Sequence, residues 1–107
     1  MDVFADDALR ARHAATDGPW LEFFRSDALS VGLYVLQVGE VDEQVPHHED
    51  EIYVVQSGAA MVTIADQQRA IGPGDVIFVG REVEHRFHDI TEDLALVVVF
   101  APPESGE

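Results

Sequence analysis

The rhythm of apolar and polar positions changes at Gly18-Pro19. Before that pair, Asp6 and Asp7 precede ALRARHAA, whose alanines, leucine and arginines favour a short helix that Gly18-Pro19 would end. After it, β-branched and aromatic runs follow one another: WLEFFR, LSVGLYVLQV, EIYVVQS, AAMVTIA, RAI, DVIFV, EHRFHDI and LALVVVF. These predict about eight short strands. Ser26-Asp27, Gly58, Ala65-Asp66-Gln67 and Gly72-Pro73-Gly74-Asp75 supply the turns between them. With no helical segment intervening, the pattern points to an all-β sandwich or barrel rather than a parallel α/β sheet. The segment DEQVPH, just before EIYVV, reads as a further strand, with His48, Glu49 and Asp50 in the turn between the two.

Two of the runs, LSVGLYVLQV and LALVVVF, are apolar on both faces, so each is either enclosed within the molecule or covers a second copy. A homodimer is the expected assembly. Trp20, Phe23 and Phe24 read as core or interface residues. The chain divides into a helical extension over 1–18, a β domain over 19–101 and a tail over 102–107, where paired prolines and terminal acids predict flexibility.

Composition narrows the function. A chain of 107 residues, 47% apolar, has room for one core and is too hydrophobic for disorder. Twenty-one acids face six arginines and no lysine, a formal net charge of −15 that repels nucleic-acid phosphates and anionic membrane surfaces. Neither partner is expected. Cysteine is absent, which removes disulfides, thiolate metal sites and cysteine nucleophiles. There is no apolar run of membrane-spanning length, and the acidic N-terminus does not look like a secretory signal, so a cytoplasmic location is expected. G-x-S-x-G and glycine-rich phosphate loops are also missing.

The chemistry left to the chain lies in its histidines. Of His13, His47, His48, His85 and His88, the last four form two clusters about forty positions apart. A transition metal needs imidazoles and carboxylates converging from elements that are neighbours in space. If the PHHED turn folds His47 back over Glu51, both can face one centre, with Tyr53 on the same strand face as Glu51. In EHRFHDI, alternation puts His85, Phe87 and Asp89 on one face and Arg86 and His88 on the other. Arg69, Arg81 and Arg86 are scarce cations that could clamp an acidic substrate, but surface pairing with the surplus acids is the simpler reading. His13 has no visible partner.

The order of these pieces resembles the cupin superfamily, whose motifs read G-x5-H-x-H-x(3,4)-E-x6-G and G-x5-P-x-G-x2-H-x3-N. Glu51 followed by IYVVQS and Gly58 satisfies E-x6-G, His47 occupies the second histidine position of the first motif, and His85 follows Gly74-DVIFV at the distance of the second. The first motif histidine is replaced by Val45, P-x-G by Gly80-Arg81-Glu82, and the final asparagine by Asp89. The resemblance spans Gly39 to about Asp89. It implies a double-stranded β-helix, or jelly-roll barrel, preceded by the short helix.

By the same resemblance, His47, Glu51 and His85 are three of four ligands to one divalent transition metal, Fe first, with Mn, Ni, Zn and Cu also acceptable. Gln44 or His48 could replace the histidine missing at Val45 through a bulge near Pro46. Glu51 and Tyr53 are the candidate catalytic residues, and Met61, Ile64, Val76, Phe78, Phe87 and Val97 the candidate walls of a small-molecule pocket. The expected function is a mononuclear metal-dependent enzyme of dioxygenase type. A non-enzymatic module for metal or small ligands and a structural dimer with a remnant site are the alternatives.

Overall fold

The computed structural model describes residues 1–105, and the order of elements is α1 (Asp6–Ala14), β1 (Trp20–Arg25), β2 (Ser30–Leu36), β3 (Asp50–Ile64), β4 (Gln67–Ile71), β5 (Val76–Val79) and β6 (His85–Ala101). Asp6 and Asp7 sit in the first turn of α1 and Arg12 and His13 in the last, which complements the helix dipole. The helix buries Leu9, and His13 Nε2 reaches the Pro19 carbonyl at 2.7 Å, fixing the entry into β1. Among the described residues no helix is long and apolar enough to cross a membrane.

All strand pairs are antiparallel, in the order β1-β2-β6-β3-β4, with β5 also on β3. Six strands appear among the described residues where eight runs predicted more, because EIYVVQS and AAMVTIA fuse into β3 and EHRFHDI and LALVVVF into β6. The cause lies in the β3–β6 register, which slips between Val55 and Met61. Gly58 adopts φ 97° there, and a Cβ on it would stand 2.2 Å from the Asp93 carbonyl oxygen, so glycine alone lets the two backbones approach.

Each bulge also reverses which positions face inward. On β3 the buried residues are Glu51, Tyr53 and Val55 before the bulge and Ala60 and Val62 after it. On β6 they are His85 and Phe87, then Ile90, Leu94, Leu96, Val98 and Phe100, with the small Ala95 also buried between Leu94 and Leu96. The switch on β6 falls at Asp89, whose φ is 49°, so Asp89 is exposed and does not share the inner face with His85 as strict alternation predicted. The long ladder thereby folds over, and its two halves enclose a core of Tyr34, Leu36, Tyr53, Val62, Phe87, Leu94, Leu96, Val98 and Phe100.

Two further expectations are corrected. The segment DEQVPH is irregular rather than a strand, because Pro46 lacks an amide donor and Asp42 caps the segment through its side chain. Val76 and Phe78 are 65% and 62% exposed and point away from the barrel, since inward positions on β5 fall at Ile77 and Val79. Of the other proposed wall residues, Phe87 is buried and Met61, Ile64 and Val97 are half-buried.

The tail expected to be flexible lies partly outside the described residues, at 106–107. In its described part the Glu104 amide donates to Ser30 Oγ at 2.9 Å, and Arg25 Nη2 donates to the Glu104 carbonyl at 2.7 Å. These bonds return the chain to the barrel mouth.

Candidate metal centre

Glu51 is the second residue of β3 and His85 the first of β6, at opposite ends of one ladder: Glu51 pairs with Phe100 and His85 with Ile64. The bend at the bulges brings them face to face. His47 arrives from the irregular segment, and one ligand atom from each of His47, Glu51 and His85 lies within 4.8 Å of the others. Glu51 and His85 are buried and His47 half-buried. The three residues named from sequence therefore meet inside the barrel.

Tyr53 also points into this cluster. Its hydroxyl lies 2.5 Å from Glu51 Oε2, 2.9 Å from Gln44 Oε1 and 2.9 Å from His85 Nε2. A phenol has one proton to donate, so it cannot satisfy all three acceptors. Two outer contacts fix which atoms face inward. Gln44 Nε2 donates to Asp42 Oδ2 at 2.8 Å, which turns Oε1 toward the cluster, and His85 Nδ1 donates to the Val83 carbonyl at 3.0 Å, which leaves the Nε2 lone pair there. Gln44 Oε1 lies 3.3 Å from both His47 Nε2 and His85 Nε2. Glu51 Oε1, buried with its side chain 1% exposed, has no hydrogen-bond partner and stands 3.5 Å from His85 Nε2. The cluster has more inward lone pairs than protons to fill them.

Such an excess is the chemical signature of a cation site, since a buried acceptor without a donor is costly and a metal ion satisfies several at once. The electrostatics agree. Burial pushes the Glu51 carboxyl above the usual glutamate range, against the opposing pull of Tyr53, His85 and His47. Burial lowers the His47 pKa, with Glu51 pulling the other way, which favours the neutral imidazole that binds metal. Burial likewise drives the Tyr53 phenol well up, assisted by Glu51, so it stays protonated as a donor.

Of the two substitutes considered for the histidine missing at Val45, the structure brings Gln44 into the cluster and turns His48 outward. His48 Nδ1 pairs with Glu82 Oε1 at 2.6 Å on the surface. His88 stands apart too, bonded to Thr63 Oγ1 at 2.6 Å and to Asp89 Oδ2 at 2.8 Å. Arg81 lies 3.9 Å from Asp50.

Sequence reasoning missed Asp42 and Glu104. Asp42, 4% exposed, accepts from Tyr34 Oη at 2.5 Å, the Phe87 amide at 2.9 Å, and both the amide and side chain of Gln44. It ties the irregular segment to β2 and β6 and aims Gln44. No local pattern marks one aspartate among so many acids. Glu104 Oε2 lies 3.5 Å from His47 Nδ1, a contact made only because the tail folds back.

Two cavities flank the cluster. One, about 280 Å³, lies on the His47 side among Trp20, Tyr34, Val98, Phe100, Glu43 and Glu104. The other, about 240 Å³, reaches His85 among Thr63, Glu84 and Arg86. A larger one of about 640 Å³ between β4 and β5 includes none of the clustered ligands.

Known proteins are similar to this chain in sequence and in fold. An uncharacterised protein of Streptomyces coelicolor is 47% identical over 105 residues, 98% of this chain and 100% of its own length. A cupin of Methanocaldococcus jannaschii with a double-stranded β-helix fold superposes with a TM-score of 0.74 at 20% identity, covering 95% of this chain and 91% of the other. The DMSP lyase DddQ of Ruegeria pomeroyi superposes with a TM-score of 0.69 at 21% identity, over 78% of this chain and 47% of its own. At such identities the two superpositions speak for the fold alone. The cupin domain family itself matches residues 32–101, the span that carries both bulged strands, Glu51, His85 and the returning segment with His47, and the chain belongs to that family.

Proposed function

We propose that this protein is a mononuclear metal-dependent enzyme of oxygenase type acting on a small molecule, with His47, Glu51 and His85 as ligands and Gln44 Oε1 as the neutral fourth donor. The observation that carries this reading is Glu51 Oε1, buried and unpartnered beside two imidazoles whose ligand atoms lie within 4.8 Å. Two histidines, one carboxylate and a weak amide donor suit Fe(II) best, with Mn, Ni, Zn and Cu also compatible. When bound, such an ion supplies Lewis acidity or oxygen activation.

The protein's own groups do the rest. Val83 holds the His85 tautomer, and Asp42 holds Gln44. Tyr53 Oη, 2.5 Å from Glu51 Oε2, steadies the carboxylate and is the group placed to pass a proton to a ligand bound beside it. Tyr34, Val98 and Phe100 give the His47 side an apolar wall that would shield a ligand bound there from water.

Metal analysis of protein purified without an affinity tag tests the reading. One ion per chain is expected, lost in His47→Ala and His85→Ala. Retention in both variants would overturn the ligand assignment. A tightly bound iron with no oxygen uptake toward thiols, catechols or keto acids would instead favour a non-enzymatic metal- or ligand-binding module.

A further inference from the structure

The cavity on the His47 side differs from its neighbours in what it lacks. Its walls include four aromatic residues, Trp20, Tyr34, Tyr53 and Phe100, the His47 imidazole, and two carboxylates, Glu43 and Glu104, but no arginine and no lysine. The other cavity at the cluster includes Arg86, and the one between β4 and β5 includes Arg69. The Arg25 guanidinium, which touches the backbone of Glu104, is already held by both oxygens of Glu22, at 2.8 and 3.1 Å, and by the Glu104 carbonyl. An anionic ligand entering here would meet two carboxylates and no guanidinium or ammonium group of the protein.

The aromatic wall is a built feature. Trp20 meets Tyr34 edge-on at 6.4 Å and Phe100 at 5.7 Å between ring centres. The indole lies over Gly32, where a Cβ would come 2.1 Å from Trp20 Cη2, so the missing side chain on β2 makes room for the ring. Glu104 reaches the cavity because its own backbone is bonded at both ends, to Ser30 and to Arg25. Aromatic faces attract a cation through their quadrupoles, and a carboxylate beside them adds direct attraction. The volume, about 280 Å³, lies near the lower end of ligand pockets, roughly 300 Å³, and admits only a small molecule.

We infer that this cavity takes a small organic cation, an amine or quaternary ammonium compound, with Glu104 as its counter-charge and Trp20, Tyr34 and Phe100 as its walls. The inference deepens the proposed function by naming the substrate class, and it rests on that reading only in placing the cation beside the metal cluster.

Three probes of nearly one shape separate charge from size: choline, its neutral analogue 3,3-dimethyl-1-butanol, and the anion 3,3-dimethylbutyrate. Trp20 is the sole tryptophan, so its fluorescence reports directly on the cavity, with calorimetry as the second readout. Choline is expected to bind about tenfold tighter than the neutral analogue, and the anion weakest. Glu104→Gln, which keeps the backbone bonds of the tail, brings the choline preference close to one, and Glu43→Gln reduces it less. Equal or tighter binding of the neutral or anionic probe, a preference unchanged in Glu104→Gln, or no binding of any probe at tens of millimolar overturns the inference. Measurements on metal-free and metal-loaded protein keep the two readings apart. A choline preference in protein that binds no metal removes the enzyme reading alone, and one metal per chain without the preference removes the cation alone.

Discussion

Replacing Tyr53 by phenylalanine removes one oxygen atom from the most acceptor-rich point of the barrel. Glu51 Oε2 has the Tyr53 hydroxyl at 2.5 Å, and Oε1 has no hydrogen-bond partner. In the variant, a carboxylate with 1% of its surface exposed keeps no hydroxyl donor at either oxygen. Leaving a buried polar group unsatisfied costs about 1–3 kcal/mol, more for a charged one. The upper end is cut off because Glu51, its pKa already raised by burial, can take up a proton instead. About 2 kcal/mol remains, and for a domain of this size that lowers Tm by roughly 8 °C. A divalent ion satisfies the same carboxylate without the hydroxyl, so in metal-loaded protein the loss shrinks below about 1 kcal/mol. Thermal unfolding followed by circular dichroism, with and without bound metal, measures both. A metal-free variant that melts within about 2 °C of the parent, or a loaded variant that loses as much as the metal-free one, would refute the reasoning.

Other outcomes follow from the same geometry. Because the folded pKa of Glu51 is raised, its proton contributes stability to the metal-free protein below pH 4.5, and that contribution is lost as pH rises through the raised value. Metal must displace this proton, so affinity measured with a chromophoric chelator keeps rising above pH 4.5, and a plateau already reached there contradicts the assignment. Gly32→Ala drives a Cβ into the Trp20 indole, costs about 1–3 kcal/mol and changes the Trp20 emission; an unaltered spectrum would show that the ring does not lie there. Gly58→Ala combines a φ of 97° with a 2.2 Å contact to backbone, and denaturant titration should show a loss of about 3 kcal/mol or more. The outward rows Ile52–Phe78 and Val54–Val76, flanked by Val97 and Val99, form an uncharged face on a chain of net charge −15. We propose that this face joins two copies, since it carries no like charge to oppose contact. Phe78→Asp then halves the mass measured by sedimentation, whereas a monomeric parent protein disproves the dimer.

Local chemistry was enough to determine much of this protein. β-branched runs between turn residues specify a β fold without intervening helices, Gly58 is legible as a break in the pattern, though as a turn rather than a bulge, and alternation puts Glu51 and Tyr53 on one face. Those features depend on neighbours a few residues away, which is why they are legible. The fused strands, the outward turn of Asp89, the entry of Gln44 rather than His48, and the return of Glu104 were not. Each follows from where distant backbones meet. Glu51 and Ile64 stand thirteen residues apart on β3, which on a flat ladder would separate Glu51 from His85 by roughly 40 Å. The bend where the register shifts, between Val55 and Met61, reduces this to 3.5 Å between Glu51 Oε1 and His85 Nε2. Residue types and spacing supply the ligands, but only tertiary closure creates the shortage of protons at their centre.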